Sequence, residues 1–165
     1  MKVIFLDIDG VLNVIPMHCG GHDEFGGIFH PHFVENLRSI IDSTGAKIVL
    51  SSTWRMSGID KNRAMWKHRN LPGELIDVTP IEYFLPDWFK GDYDNNESFP
   101  RGGEIKFWLD ENPVDAYVII DDDTDMLTEQ LPFFVQTSGS EDQDSVEGYG
   151  LTKACTEKCI AILNA

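Results

Sequence analysis

The feature that most constrains the fold is a set of short apolar runs with no polar alternation. Val3-Ile4-Phe5-Leu6 is the first, and a strand without alternation is one covered on both faces, as in a parallel sheet. Ala46 to Leu50 and Tyr117 to Ile120 repeat the pattern. Leu75 to Thr79, stopped by Pro80, and Phe133 to Gln136 supply two further strands. Helical stretches fall between them. Pro31-His32-Phe33 opens one, with Phe33, Leu37, Ile40 and Ile41 on its apolar face and Gly45 at its end. Others are expected over Ile59 to Asn70, Gly103 to Asp110 and Leu151 to Leu163. Strands alternating with helices imply an α/β, doubly wound parallel sheet of five strands. With no repeat and no linker, the 165 residues read as a single domain, 1–165.

Three of these strands end in reactive polar groups: Asp7 and Asp9, then Ser51, then Asp121 and Asp122. In an open parallel sheet those ends share one edge, where ligands bind. Residues two apart on a strand point the same way, so Asp7 and Asp9 can converge on one point. Carboxylates crowded together need a cation or protons, and oxygen ligands of this kind suit Mg²⁺. Ser51, with Ser52 beside it, adds a hydroxyl and backbone N–H groups that favour an anion. Arg101 or Lys106 could supply the positive charge for phosphate oxygens. Taken singly these residues have ordinary readings: an acidic turn around Gly10, serines capping a helix, Trp54 packing, and Arg55 in a surface ion pair.

The formal net charge is −15. No lysine or arginine stands between Lys106 and Lys153, where Asp121, Asp122, Asp123, Asp125, Glu129, Glu141, Asp142, Asp144 and Glu147 all fall. Such a half repels polyanions, so no extended nucleic-acid binding is expected. The basic cluster Lys61, Arg63, Lys67, His68 and Arg69 reads as a solvated helix face, or else as a patch that leads an anionic substrate tail toward the site. His18, His22, His30 and His32 match no ligand spacing for structural zinc, and their loop reads as a flap. Three cysteines, Cys19, Cys155 and Cys159, make no disulfide framework. With no membrane-length apolar run and no signal-peptide pattern, a cytoplasmic protein is expected.

Asp7-Ile8-Asp9-Gly10-Val11 matches the first motif of the haloacid dehalogenase-like (HAD) superfamily, a hydrophobic strand followed by Asp-x-Asp-Gly-[Val/Thr]. Ile48-Val49-Leu50-Ser51 resembles the second motif, and Val118-Ile119-Ile120-Asp121-Asp122 the fourth. More narrowly, Ser51-Ser52-Thr53-Trp54-Arg55, Arg101-Gly102-Gly103-Glu104-Ile105 with Trp108-Leu109, and Asp121-Asp122 with Asp125-Met126 are similar to small HAD domains of phage and bacterial proteins, including fused RNA-repair proteins. The resemblance implies a Rossmann-like phosphatase domain with little or no cap. Residues 14 to 30 and 81 to 100 are the only candidates for a flap or insert. It implies Asp7 as nucleophile, forming an aspartyl-phosphate, and Asp9 as general acid and base. It implies Mg²⁺ held by the carboxylates of Asp7 and Asp122 and the backbone carbonyl of Asp9, with Asp121 as the alternative to Asp122. Ser51 and Ser52 would bind phosphate, with Arg101 fitting the narrower group and Lys106 the generic pattern. The expected substrate is a phosphomonoester, a nucleotide or a nucleic-acid end. The competing expectation is a catalytically weak HAD domain serving as a metal- and phosphate-binding interaction module.

Overall fold

In the computed structural model, which describes residues 1–14, 21–90, 99–139 and 148–165, the apolar runs do form one parallel sheet. Its strands are β1 (Lys2–Leu6), β4 (Lys47–Leu50), β5 (Leu75–Val78), β6 (Ala116–Asp121) and β7 (Phe134–Gln136), in the order β5-β4-β1-β6-β7. The two short strands β2 (His22–Asp23) and β3 (Gly26–Gly27) pair antiparallel as a hairpin outside it.

Strand β1 is central because it is apolar on both faces. Ile4 and Leu6 pack into one core with residues of α1 (Pro31–Thr44), α2 (Ile59–His68) and α5 (Lys153–Leu163). Val3 and Phe5 point the other way, into a second core with Ile105 and Trp108 of α4 (Arg101–Glu111). Phe5 meets Trp108 edge to face at 5.4 Å. Each large apolar side chain buried here contributes about 1.5–3 kcal/mol, so β1 is fixed in register from both sides. Helices on the two faces make the sheet doubly wound, as the sequence implies.

Helix boundaries differ from the sequence reading in one place that matters. The sequence starts this helix at Gly103, with Arg101 just before it, yet α4 begins at Arg101, with Pro100 as its cap. Gly102 is buried, and a Cβ there would lie 2.4 Å from the Gln130 side chain and 2.5 Å from the Leu127 backbone. Glycine lets the first helical turn press against that segment. The basic cluster also differs. Arg63 donates to the carbonyls of Leu75 (3.0 Å) and Ile76, and Arg69 forks onto Asp23 at 2.7 and 2.9 Å. These two arginines tie α2 to β5 and to the hairpin, so the cluster is not one solvated face.

Of the expected flap, residues 14 and 21–30 are described. His30 caps α1, its Nδ1 accepting from the backbone of His32. His18 and Cys19 lie outside the described residues, as do Glu141, Asp142, Asp144 and Glu147. In the second insert, a turn of 3-10 helix (Glu82–Phe84) precedes the short α3 (Asp87–Lys90). Residues 91 to 98 of that insert lie outside the described residues. Cys155 and Cys159 are free thiols. No helix among the described residues is long and apolar enough to cross a membrane.

Candidate active site

Register brings the site together. Leu6 of β1 pairs with Leu50 on one side and Ile120 on the other. The ladder runs one residue further: Asp7 N–H donates to the Ile120 carbonyl (3.0 Å) and Ser51 N–H to that of Leu6 (2.8 Å). Ser51, Asp7 and Asp121 therefore stand side by side at the carboxyl edge. All three are buried, Asp7 being 7% exposed and the other two 1%.

Past Asp7 the chain turns sharply. The Ile8 carbonyl accepts from the N–H groups of Val11, Leu12 and Asn13, and Gly10 sits at φ +75°. Gly10 is required twice over. Its backbone is left-handed, and a Cβ would lie 2.2 Å from the carboxyl carbon of Asp122. A Cβ on Gly139 would come within 2.5 Å of Asp122 Oδ2. Two bare backbones thus form the seat of the Asp122 carboxylate.

Asp7, Asp121 and Asp122 each offer an oxygen within 4.8 Å of the others. Burial pushes Asp7 from 3.8 to about 6, against the bond from the Ser52 hydroxyl and the charge of Arg101. Burial, then the charge of Asp7, pushes Asp121 to about 8. Asp122 is raised by burial and by Asp123 and Asp9. Asp121 Oδ1 accepts from the Asp123 backbone at 3.0 Å, whereas Asp121 Oδ2 and Ser51 Oγ are buried with no hydrogen-bond partner among the described residues. Three hard oxygen donors whose pKa values are raised chiefly by burial and further by neighbouring carboxylates, one atom of them unpaired, fit a divalent cation such as Mg²⁺.

The structure separates the two candidate cations. Arg101, on the first turn of α4, donates to the Ser51 carbonyl and lines the cleft. Lys106 lies further along α4, pairs with Asp110 at 3.0 Å, and is not among the residues lining the cleft. Behind Arg101 lies a buried ion pair, Arg55 Nη2 to Glu104 Oε2 at 2.5 Å. Burial pulls Arg55 down and Glu104 up, and their mutual attraction works against both shifts. Arg55 also donates to the Ser52 carbonyl, and Glu104 accepts from the Glu82 backbone. Arg55 is therefore a buried brace joining β4 to α4 rather than a surface residue.

The Asp9 side chain is exposed and stands apart from the carboxylate cluster. Its Oδ1 accepts from Asn13 Nδ2 and its Oδ2 from the Trp54 indole N–H, both at 3.0 Å. The cleft, about 430 Å³ and open to solvent, is lined by Asp7, Asp9, Gly10, Asn13, Thr53, Arg101, Asp122, Asp123 and Gly139. Sequence reasoning assigned no role to Asn13, Thr53, Glu104 or Gly139, and read Trp54 as packing alone. Asn13, one turn after Asp9 in the first motif, carried a local signal. The contacts of Trp54 and Glu104 span 45 and 49 residues and carried none.

The model of a family described as the HAD domain in Swiss Army Knife RNA repair proteins matches residues 3–142. No curated protein matches the chain. Among solved structures, a HAD superfamily (subfamily III A) hydrolase from Legionella pneumophila aligns at 16% identity with a TM-score of 0.41, over 99% of this chain and 81% of that one. A likeness that remote carries no weight here.

Proposed function

The chain belongs to the family of HAD domains in Swiss Army Knife RNA repair proteins, and on that premise we propose that it is a Mg²⁺-dependent phosphomonoesterase working through an aspartyl-phosphate. The observation that carries this reading is the in-register row of Ser51, Asp7 and Asp121, with Asp122 seated beside it. Asp7, Asp121 and Asp122 would hold the ion. When bound, Mg²⁺ supplies charge that neutralises the carboxylates and draws in the phosphoryl group.

Asp7 attacks phosphorus while the bond from phosphorus to the leaving oxygen breaks. Asp9 gives that oxygen its proton, then takes one from the water that hydrolyses the aspartyl-phosphate, so both groups return to their starting state. Arg101 and the Ser51 hydroxyl hold phosphoryl oxygens. Ser52, hydrogen-bonded to Asp7, orients the nucleophile. Lys106, engaged with Asp110, takes no part.

For the substrate, the family's description favours a phosphate at a nucleic-acid end. Two exposed aromatics, Phe84 and Trp88, support this choice. They lie on the segment that follows β5 at the same sheet edge, and exposed aromatic faces stack bases without sequence preference. Arg63 and Arg69 are engaged in internal bonds, so of the basic cluster only Lys61, Lys67 and His68 remain to guide an anionic strand.

The test is hydrolysis of p-nitrophenyl phosphate with Mg²⁺ or with EDTA, by the native protein and by Asp7→Asn. Activity should need the metal and should fall by several orders of magnitude in the variant. Undiminished turnover in EDTA, or in Asp7→Asn, refutes the mechanism. Tight binding of Mg²⁺ and phosphate without turnover would instead favour the interaction module. End-phosphorylated oligonucleotides set against mononucleotides then test the substrate class.

A further inference from the structure

Asp9 presents a physical problem for the role assigned to it. A short carboxylate at an exposed position is free to rotate, yet a proton donor must lie within hydrogen-bond reach of the oxygen it serves. Two donors remove that freedom, Asn13 Nδ2 on Oδ1 and Trp54 Nε1 on Oδ2. The indole N–H can donate but cannot accept, so it orients the carboxyl group without competing for its proton.

Trp54 is itself held from behind. It stands on the 3-10 turn that follows Ser51 and Ser52. Its ring meets Phe29 edge-on at 5.4 Å, and its Cη2 would lie 3.2 Å from a Cβ on Gly26 of the hairpin. The Arg69 guanidinium stacks 4.6 Å above Phe29 and lies 5.8 Å from the Trp54 ring. Arg69 also grips the hairpin through its fork onto Asp23 and a 3.2 Å bond to the Gly26 carbonyl. The hairpin is thereby fastened to the end of α2, with Trp54 between it and Asp9.

We propose that Trp54 is a positioning residue for Asp9, and that the His22–Gly27 hairpin is a fixed brace behind the indole rather than a lid over the substrate. The inference rests on the reading of Asp9 as general acid, so its test must separate the two. Proton donation matters most when the leaving group is a poor one. Trp54→Phe keeps the ring packing and deletes the N–H. Its loss in kcat/KM should be at least about tenfold greater on an alkyl phosphate than on p-nitrophenyl phosphate, a modest part of what a positioned acid supplies. The Mg²⁺-induced rise in melting temperature should persist.

Asp9→Asn serves as the reference. If it shows a leaving-group-dependent loss and Trp54→Phe shows an equal loss on both substrates, or none, the inference is overturned while the catalytic reading stands. If Asp9→Asn shows no such dependence, the reading of Asp9 as general acid is overturned, and the inference falls with it. Should Trp54→Phe fail to fold, Asp23→Asn, which weakens the Arg69 fork, is read the same way: a selective loss on the alkyl phosphate supports the brace, and a uniform loss or none overturns it.

Discussion

Replacing Asp121 by asparagine should stabilise the metal-free protein while abolishing its response to magnesium. Asp121 is 1% exposed, and burial with the Asp7 charge raises its pKa from 3.8 to about 8. The native state therefore keeps a proton that the unfolded chain has released, and metal-free stability falls as pH rises from about 4 to about 8. At pH 7, the roughly three pH units above 3.8, at about 1.4 kcal/mol each, set the cost on the order of 4 kcal/mol. Asparagine cannot ionise, and its Oδ1 still accepts from the Asp123 backbone. At about 2–4 °C per kcal/mol for a chain of this size, Asp121→Asn should melt up to roughly 8–16 °C higher in EDTA at pH 7. The gap should be smaller at pH 5. Millimolar Mg²⁺ should raise the native melting point by mass action and leave the variant unmoved. Thermal melts followed by circular dichroism at pH 5, 6, 7 and 8 read all of this. A variant that melts at or below the native protein in EDTA at pH 7, or a gap that does not widen with pH, refutes the reasoning.

Gly10→Ala should cost about 1–2 kcal/mol from its left-handed backbone, and its Cβ should evict the Asp122 carboxylate. The expected result is a protein that still melts cooperatively but has lost its Mg²⁺-dependent shift, and a retained shift would contradict the seat described here. Arg55→Met leaves buried Glu104 with only the more distant Arg101, 3.9 Å away, and should destabilise by up to about 3–5 kcal/mol. Because burial already raises the Glu104 pKa, the cost should shrink as pH falls from 7 to 5, and urea titrations at the two pH values check both claims.

Much of this protein was legible in its sequence, for a reason tied to its sheet. Strands covered on both faces must be apolar at nearly every position, so β1, β4 and β6 announce themselves as uninterrupted runs. Parallel strands end on one edge, so the first polar residue after each run stands at the edge where the candidate site lies. Asp7, Ser51 and Asp121 follow from that rule alone, and Gly45 and Pro31 marked the ends of α1 equally well, because caps and breakers act within one turn.

Tertiary contact decided the rest. Whether Arg101 or Lys106 faces the cleft depended on where α4 starts, and that depended on Gly102 pressing against Leu127 and Gln130, some twenty-five residues away. Arg63 and Arg69 looked solvated until β5 and the hairpin came within reach of them. Trp54 and Asp9 are 45 residues apart and meet only because β1 and β4 are neighbours in register. Local sequence determines which strands exist and where they end, because burial and capping act over a few residues. Which side chain reaches across from another element is set by packing, and no local pattern encodes it.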